Sequence, residues 1–320
     1  MSDLLYTNSP VPYREDLYRS LQEAGVRIRF GVKPGSLSSE FAEEHPSKVF
    51  VPEFSALTLE ALRCRKRFGF KVISFCDDSL DMIRGNDFGW KHRLARGVVP
   101  RSLDGIILHS PSVREWYRER FGKGFFMPIL ADERRIRLEL ERVMPLSAQL
   151  RPSEKPVVAF VGRFVGLKNI PMLLRAFEPL KERAFLVLIG DGPDRAALEK
   201  MAPDALFTGM LSGDGLLAWY NLIDIMVLPS TQEAYGAVTG EALMAGAKVA
   251  VSRRAGSSDL VREGENGFVF DPSDEAGLTA GLAALLDTVP IGRPIQLREN
   301  LLPYRFSTCI QALMDEINTL

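Results

Sequence analysis

The fold of this chain is decided by the stretch Ile225-Met-Val-Leu-Pro-Ser-Thr-Gln-Glu233-Ala-Tyr-Gly236-Ala-Val-Thr-Gly-Glu241-Ala-Leu-Met-Ala-Gly246. Its apolar start is typical of a buried strand, a short polar loop follows, and a helix is predicted from Gly236. Where a parallel strand passes into a helix, unsatisfied backbone N–H groups and the helix dipole favour a bound anion. The stretch therefore predicts an α/β fold with a phosphate site near Gly236.

Glu241 is predicted to lie in small, apolar surroundings. Its neighbours in the sequence are Gly240, Ala242, Leu243 and Met244. A carboxylate in such a setting is costly unless a partner hydrogen-bonds it. A diol of a bound ligand is one candidate for that partner.

Strand-like and helix-like segments alternate along the chain, which indicates parallel sheets covered by helices. Strands are predicted at 4–7, 27–31, 49–51, 71–75, 105–109, 157–163, 185–190, 205–208, 224–229 and 248–252. A polar, turn-rich passage at 145–156 is the predicted linker. It divides the chain into domains 1–150 and 151–303, because 320 residues are enough for two cores.

Two cations follow the first strand of the second domain. Ligands of doubly wound sheets bind beyond the carboxyl ends of the strands, so the loops near 162, 190, 209 and 229 should share one crevice. Arg163 and Lys168 flank Gly166 in the first of these loops. A guanidinium and an ammonium together suit a pyrophosphate. The alternative is a pair of surface cations, although a positive charge beside a helix start is poorly placed without an anion.

The order and spacing of these segments resemble the retaining glycosyltransferases of family 4, the glycosyl transferases group 1, and in particular their polysaccharide and lipopolysaccharide members. The resemblance is carried by residues 161–169, 189–193, 229–238, 241–246, 248–252 and 263–272. It implies the GT-B fold, with two Rossmann-like doubly wound domains facing a central cleft. It also implies a C-terminal helix, at about 304–320, that crosses back onto the first domain.

The resemblance further implies a donor site. In that family the first glutamate of the motif contacts the donor sugar and the second holds the ribose hydroxyls, which gives these roles to Glu233 and Glu241. The residues implied to bind the donor are Arg163, Lys168, Met210, Leu211, Glu233, Gly236, Ala237, Val238 and Glu241. The alternatives are a capping carboxylate at Glu233 and core packing at Met210.

Two residues of the first domain are candidates for catalysis. Many family members have a histidine after the strand that corresponds to 71–75, where this chain has Asp77. Asp77 is a candidate to orient an acceptor hydroxyl, and a helix cap is the alternative. His109 ends a strand at the same edge of the sheet, and a structural histidine is the alternative there.

The sequence contains no Asp-x-Asp motif, which metal-dependent sugar transferases commonly use to hold a divalent ion. Cations and a helix start can neutralise the charge that develops on the leaving group instead. We therefore expect no cofactor and no metal. In the family, retention is usually explained by front-face attack, in which the departing phosphate takes the acceptor proton.

Charge is distributed unevenly between the two halves: residues 1–150 carry a net +4 and the remainder −5. The positive charge is concentrated at 63–67 and 114–123, which is typical of a solvated helix face; the alternative is contact with an anionic membrane surface or an anionic acceptor. No nucleic-acid motif accompanies it. The three cysteines, Cys64, Cys76 and Cys309, favour reduced thiols over a disulfide framework. The N-terminus lacks a signal-peptide pattern, which favours the cytoplasm, with peripheral membrane association as an extension.

We therefore expect a retaining hexosyltransferase that moves a sugar from a nucleotide-diphosphate sugar, favouring a UDP-sugar, to a saccharide hydroxyl. A lipid-linked or polysaccharide acceptor is favoured over a small cytosolic one. A catalytically silent nucleotide-sugar-binding protein is the alternative from another class. A Rossmann dehydrogenase is excluded, because no Gly-x-Gly-x-x-Gly follows a strand and opens a helix.

Overall fold

The computed structural model describes residues 3–8, 10–85 and 89–320. The chain divides into two compact units. The first contains Met1–Ala131 and Phe306–Leu320, and the second contains Asp132–Arg305. The C-terminal segment thus belongs to the first unit, and the division of the chain lies before the predicted linker.

The first unit is built on a six-stranded sheet in the order β2-β1-β3-β4-β5-β6, and every neighbouring pair is parallel. Its strands are β1 (Leu4–Thr7), β2 (Arg27–Phe30), β3 (Lys48–Pro52), β4 (Lys71–Cys76), β5 (Gly105–Leu108) and β6 (Phe125–Phe126). Its helices are α1 (Glu15–Glu23), α2 (Leu37–Glu44), α3 (Ala56–Phe68), α4 (Leu80–Gly85), α5 (Trp90–Ser102), α6 (Pro111–Phe121) and α14 (Phe306–Asn318).

The second unit repeats this plan with a parallel sheet in the order β12-β11-β10-β7-β8-β9. Its strands are β7 (Val157–Val161), β8 (Phe185–Ile189), β9 (Leu206–Gly209), β10 (Ile225–Leu228), β11 (Lys248–Ser252) and β12 (Gly267–Phe270). Its helices are α7 (Glu133–Arg142), α8 (Met144–Leu150), α9 (Ile170–Phe177), α10 (Arg195–Met201), α11 (Gly213–Leu222), α12 (Ala237–Met244) and α13 (Glu275–Leu286).

Burial of the central strands on both faces explains why the sequence predicted parallel sheets. All residues of β5, β7 and β10 are buried, as the continuous apolar runs require. Helices on both faces supply the cover, and each unit has its own apolar core. Each unit is thus a doubly wound, Rossmann-like domain.

The predicted boundary at 150 needs correction, because α7 and α8 pack on α11 of the second unit. The Asn221 side chain fixes this packing through two hydrogen bonds. It donates to the carbonyl of Leu140 at 2.8 Å and to the Ser147 hydroxyl at 3.3 Å. Pro145, which suggested a loop, occupies the first turn of α8, where no backbone N–H is needed. The second domain therefore begins near 132.

Candidate functional site

The predicted donor residues lie where the strand order of the second sheet reverses. Chain order runs outward in one direction from β7 to β9 and in the other from β10 to β12. Parallel strands leave a crevice at such a reversal, beyond their carboxyl ends. The loops that follow β7 and β10 meet there, since the backbone N–H of Thr231 donates to the carbonyl of Leu167 at 2.9 Å.

Lys168 and Glu233 form an ion pair across these two loops. Both side chains are mostly buried, and the Ser230 hydroxyl donates to the same carboxylate at 3.4 Å. The backbone N–H of Glu233 donates a hydrogen bond to the carbonyl of Arg254 at 3.2 Å, which fixes the backbone of this loop. The structure thus brings together the acid and one of the two cations that the sequence predicted, and each neutralises the other.

Gly236 positions the start of α12 and needs to be glycine. It has a φ of +92°, and a Cβ there would lie 2.6 Å from Cδ2 of Leu228 and 3.0 Å from Oγ of Ser257. The helix begins immediately afterwards with Ala237 and Val238, whose backbone N–H groups lie in the first turn and have no intrahelical acceptor. This geometry can hold an anion at the crevice.

Glu241 lies on α12, where the hydroxyl of Tyr220 on α11 donates a hydrogen bond to its carboxylate. Burial raises the pKa of Glu241, and the bond from Tyr220 opposes that rise only in part. Burial and the adjacent carboxylate also raise the pKa of Tyr220. Tyr220 is therefore the partner that the apolar sequence around Glu241 required, and no sequence pattern identified this residue.

Close backbone contacts bring the loops after β7, β8 and β9 together. The N–H of Gly190 donates to the carbonyl of Gly209 at 3.0 Å, and a Cβ on Gly190 would lie 1.9 Å from the carbonyl oxygen of Gly162. Met210 follows β9 and is 69% exposed, so the alternative of core packing is wrong, whereas Leu211 is half-buried. Arg163 is exposed, and it forms no ion pair with any residue that the structure describes.

In the first unit, Asp77 and His109 contact each other at the ends of β4 and β5. Oδ1 of Asp77 lies 2.6 Å from Nε2 of His109, while Nδ1 of His109 lies 2.7 Å from the carbonyl oxygen of Met127. The guanidinium of Arg14 bonds Asp77, and its Nη2 lies 3.0 Å from His109 Nε2. Burial raises the pKa of Asp77, but His109 and Arg14 outweigh it and hold that pKa well below its usual range.

A cavity of about 220 Å³ opens beside this group, at the reversal between β1 and β3. Tyr13, Arg14, Glu53, Phe75 and Asp77 line it. Glu53 has a φ of +46°, and burial raises its pKa. A non-glycine residue in this left-handed conformation is strained, which is a frequent feature of functional sites. Neither Arg14 nor Glu53 was among the predicted catalytic or donor-binding residues.

The adjacent Asp78 has a structural role. Arg96 of α5 holds its carboxylate through two nitrogens, and Tyr117 donates to it at 2.8 Å. Both members of the ion pair are buried, at 11% and 7% side-chain exposure. The two adjacent aspartates therefore differ, since Asp77 faces the cavity and Asp78 fixes α5 to β4.

The predicted basic clusters are partly neutralised inside the first unit. Arg65 bonds Asp104 at 3.3 Å, Arg114 bonds Glu316 at 3.1 Å, and Lys123 donates to the carbonyls that end α5. Across the described ranges, no helix has the length and apolar character needed to cross a membrane. Across the same ranges, no three His, Cys, Asp or Glu side chains are grouped so that they could hold a metal ion.

Comparison with known proteins supports the assignment of the second unit. The family described as "Glycosyl transferases group 1" matches residues 155–288. The sulfoquinovosyl transferase SQD2 of Arabidopsis thaliana is 38% identical over 138 residues, which are 42% of this chain and 27% of that protein. A GDP-mannose-dependent alpha-mannosyltransferase of Mycolicibacterium smegmatis is 32% identical over 198 residues, which are 61% of this chain and 49% of that protein. The chain thus spans less than half the length of these relatives.

Solved structures match the whole chain. Sucrose-phosphate synthase from Thermosynechococcus elongatus aligns with a TM-score of 0.78 over 100% of this chain and 99% of that one, at 15% identity. Anabaena HepE in complex with UDP aligns with a TM-score of 0.77 over 100% of both chains, at 16% identity. At these identities the likeness establishes the fold. Residues 155–288 of the chain are therefore similar to the glycosyl transferases group 1 family, and the fold of the chain is GT-B.

Proposed function

We propose that the chain is a retaining glycosyltransferase that moves a sugar from a nucleotide-diphosphate sugar, a UDP-sugar, to a hydroxyl of a lipid-linked saccharide or a growing polysaccharide. The observation that carries the proposal is the Lys168–Glu233 pair at the strand-order reversal, beside the helix start at Gly236. These residues lie in the segment that matches the glycosyl transferases group 1 family.

Donor binding follows from exchange of the ion pair. A diphosphate competes with Glu233 for Lys168, and exposed Arg163 is free to supply a second cation. Once released from Lys168, the carboxylate of Glu233 accepts a hydrogen bond from a hydroxyl of the donor sugar. Glu241, already hydrogen-bonded by Tyr220, uses its remaining lone pairs for the ribose hydroxyls.

The leaving group is stabilised by the protein's own charges. Negative charge develops on the departing diphosphate, next to Lys168, Arg163 and the N–H groups of Ala237 and Val238. These groups can act without a metal ion, so we propose metal-independent transfer. A chelator should leave the rate of sugar transfer unchanged. If the chelator abolished transfer and a divalent ion restored it, the proposal of metal independence would be overturned.

Acceptor binding is assigned to the cavity of the first unit. Because Arg14 and His109 hold the pKa of Asp77 low, its carboxylate is a weak base but a good hydrogen-bond acceptor. Asp77 therefore orients the acceptor hydroxyl, and the departing phosphate takes the proton, which is consistent with retention. His109 is proposed to position Asp77.

The choice of UDP draws on one solved relative, Anabaena HepE in complex with UDP. The GDP-mannose-dependent mannosyltransferases among the relatives make GDP the competing base. A small cytosolic acceptor remains the rival within the class. A catalytically silent nucleotide-sugar-binding protein is the rival outside it, and turnover separates the two.

Thermal shift across UDP, GDP, ADP and NAD, followed by their sugar conjugates, tests the donor. A ligand at 100 times its dissociation constant stabilises the native state by about 2.7 kcal/mol. Lys168→Met should reduce that stabilisation, whereas Lys181→Met, which removes an exposed ion pair with Glu178, should not. If Lys168→Met bound the donor as tightly as the wild type, the site assignment would be wrong. NMR of the product's anomeric centre tests retention.

A further inference from the structure

Helix α5 (Trp90–Ser102) exposes an apolar stripe to solvent. Trp90, Leu94 and Val98 are 65%, 60% and 55% exposed. Residues four apart lie on one face of a helix, so these three form a continuous row. Single exposed apolar residues are ordinary, but a row of three such side chains marks an interaction surface.

Basic side chains border this stripe. Residues 89–102 contain four Lys and Arg and no Asp or Glu. Lys91, Arg93 and Arg101 are exposed, and the helical spacing puts them beside or in line with the apolar row. Arg93 and Arg101 also line a groove of about 490 Å³, together with Trp116 and Arg120 of α6. The surface thus combines apolar side chains with a concentration of positive charge.

The opposite face of α5 is fixed to the body of the first unit. Val99 and Pro100 are buried, and Arg96 is held by the buried carboxylate of Asp78. The stripe therefore belongs to a packed helix and cannot turn inward to bury itself. Only a binding partner from outside this unit could remove the stripe from solvent.

We propose that this face of α5, the α5 surface, binds a lipid bilayer that contains anionic phospholipids. Trp90, Leu94 and Val98 enter the boundary between headgroups and acyl chains, while Lys91, Arg93 and Arg101 contact the headgroup phosphates. An amphipathic helix with aromatic and aliphatic residues on one face, and cations around them, is the pattern that lies in a membrane interface.

A second copy of the chain fits this surface less well. Three side chains at these exposures present on the order of 400 Å² of apolar area, about half of the ~800 Å² per partner of a stable protein interface. A symmetric contact would also bring the same cations face to face. The concentration of positive charge on α5 is complementary to a surface with many negative headgroups.

The location of the α5 surface deepens the proposed function. Asp78, which anchors α5 through Arg96, directly follows Asp77 of the proposed acceptor cavity. The α5 surface and the proposed acceptor cavity therefore belong to the same unit. A bilayer bound at this surface would bring a lipid-linked acceptor to the unit that contains the cavity. This last step rests on the proposed function, whereas vesicle binding does not and is measured without donor or acceptor.

Vesicle flotation with the full chain tests the charge requirement. Wild-type protein should float with phosphatidylglycerol–phosphatidylcholine vesicles and not with phosphatidylcholine alone. The triple variant Lys91→Gln, Arg93→Gln, Arg101→Gln should bind at least tenfold more weakly, since each cation near an anionic surface contributes about fivefold. The comparison variant removes three exposed cations of α3, residues 63, 66 and 67, by the same substitution. These residues belong to the basic cluster that the sequence made a candidate for membrane contact, and the α5 proposal expects this variant to bind normally.

The apolar requirement is tested with Trp90→Ser and Leu94→Ser together, which should weaken binding at least tenfold. The control changes two comparably exposed residues of the second unit, Leu138 and Ile291, to serine. Fluorescence provides a readout that needs no variant to fold. Trp90 is far more exposed than the half-buried Trp116 and the buried Trp219, so anionic vesicles should shift the wild-type emission to the blue.

Three results would overturn the proposal. The first is no binding of the wild type to anionic vesicles and no emission shift. The second is binding that the α3 comparison variant lowers as much as the α5 variants do. The third is sedimentation showing that the α5 variants abolish self-association while vesicle binding is unchanged, which would assign the surface to a second copy.

Discussion

Replacing Tyr220 with phenylalanine removes one hydroxyl from a buried pair. That hydroxyl donates to Glu241, and both residues lie on packed helices, α11 and α12. The aromatic ring keeps its packing, because phenylalanine has the same shape. The substitution therefore isolates what the hydrogen bond contributes to the stability of the second unit.

The cost should depend on pH. Burial raises the pKa of Glu241 above its ordinary value of 4.5, so the folded protein holds this proton more tightly than the unfolded chain does. Stability from Glu241 is thus full below that ordinary pKa and is lost as pH rises through the raised, folded pKa. Removing the Tyr220 hydroxyl raises the folded pKa further, which makes the loss at high pH larger.

Magnitudes follow from the charge on the acceptor. At pH 8 Glu241 is at its most ionised, and losing a hydrogen bond to a charged group costs about 1.5–3 kcal/mol. At pH 5 a larger fraction of Glu241 is protonated than at pH 8, so the cost should fall toward the about 0.5–1.5 kcal/mol of a neutral hydrogen bond. For a unit of this size, 1 kcal/mol lowers the melting temperature by about 2–4 °C.

Urea unfolding at pH 5 and pH 8 measures the difference. The control is Tyr220→Phe in a Glu241→Gln background, where no charge can be stranded and the pH dependence of the cost should disappear. The Glu241→Gln substitution alone should flatten the wild-type loss of stability toward high pH. An equal cost of Tyr220→Phe at both pH values, with Glu241 present, would refute the reasoning.

Three other substitutions have expected outcomes. Gly236→Ala puts a Cβ on a residue with a φ of +92°, against the last side chain of β10, and should cost about 1–3 kcal/mol in urea unfolding while weakening UDP binding. Arg96→Met leaves the buried carboxylate of Asp78 without its cation and should cost about 3–5 kcal/mol; adding Asp78→Asn should recover part of it, and a simple sum of the two costs would contradict the pairing. Asp77 has a pKa below its ordinary 3.8, so it stabilises the fold above that pH and loses this effect as pH falls; Asp77→Asn should therefore flatten the acid limb of a stability–pH curve, and an unchanged limb would count against the contact with His109.

Most strands of both units could be predicted because parallel strands buried on both faces are continuous apolar runs. The runs at 157–161 and 225–228 show this directly, and the structure has strands at both positions. The turn at Gly236 was also predictable, since glycine after a polar loop marks a helix start. Local patterns thus placed Lys168 and Glu233 on loops that could meet.

Contacts between distant residues could not be predicted in this way. Arg14 bonds Asp77 from 63 positions away, and Tyr220 bonds Glu241 from 21 positions away. A single arginine or tyrosine carries no periodic signal that names its partner. Only the folded sheet, which brings the ends of β1 and β4 to one edge, shows that Arg14 belongs to the site.

Several helices were missed for a different reason, and α5 and α8 are examples. Pro145 suggested a break, although proline is well suited to the first turn of α8. Gly97 and Pro100 lowered the helix propensity of α5, and its exposed apolar row blurred the expected amphipathic pattern. The exposed apolar row that hid α5 from a pattern based on a buried core also identifies it as an interaction surface.

In both units an acid at the carboxyl edge of the sheet is neutralised by a cation from another loop. Lys168 pairs with Glu233 in the second unit, and Arg14 pairs with Asp77 in the first. The Lys168 pair can exchange for a diphosphate, because an ammonium is a single point charge that one anion can take over. Arg14 is more deeply held, since its guanidinium lies near both Asp77 and His109 and within 5.6 Å of the Phe75 ring centroid. A ligand charge should therefore rearrange the second unit's pair, while the first unit keeps its carboxylate fixed and offers it to a neutral hydroxyl.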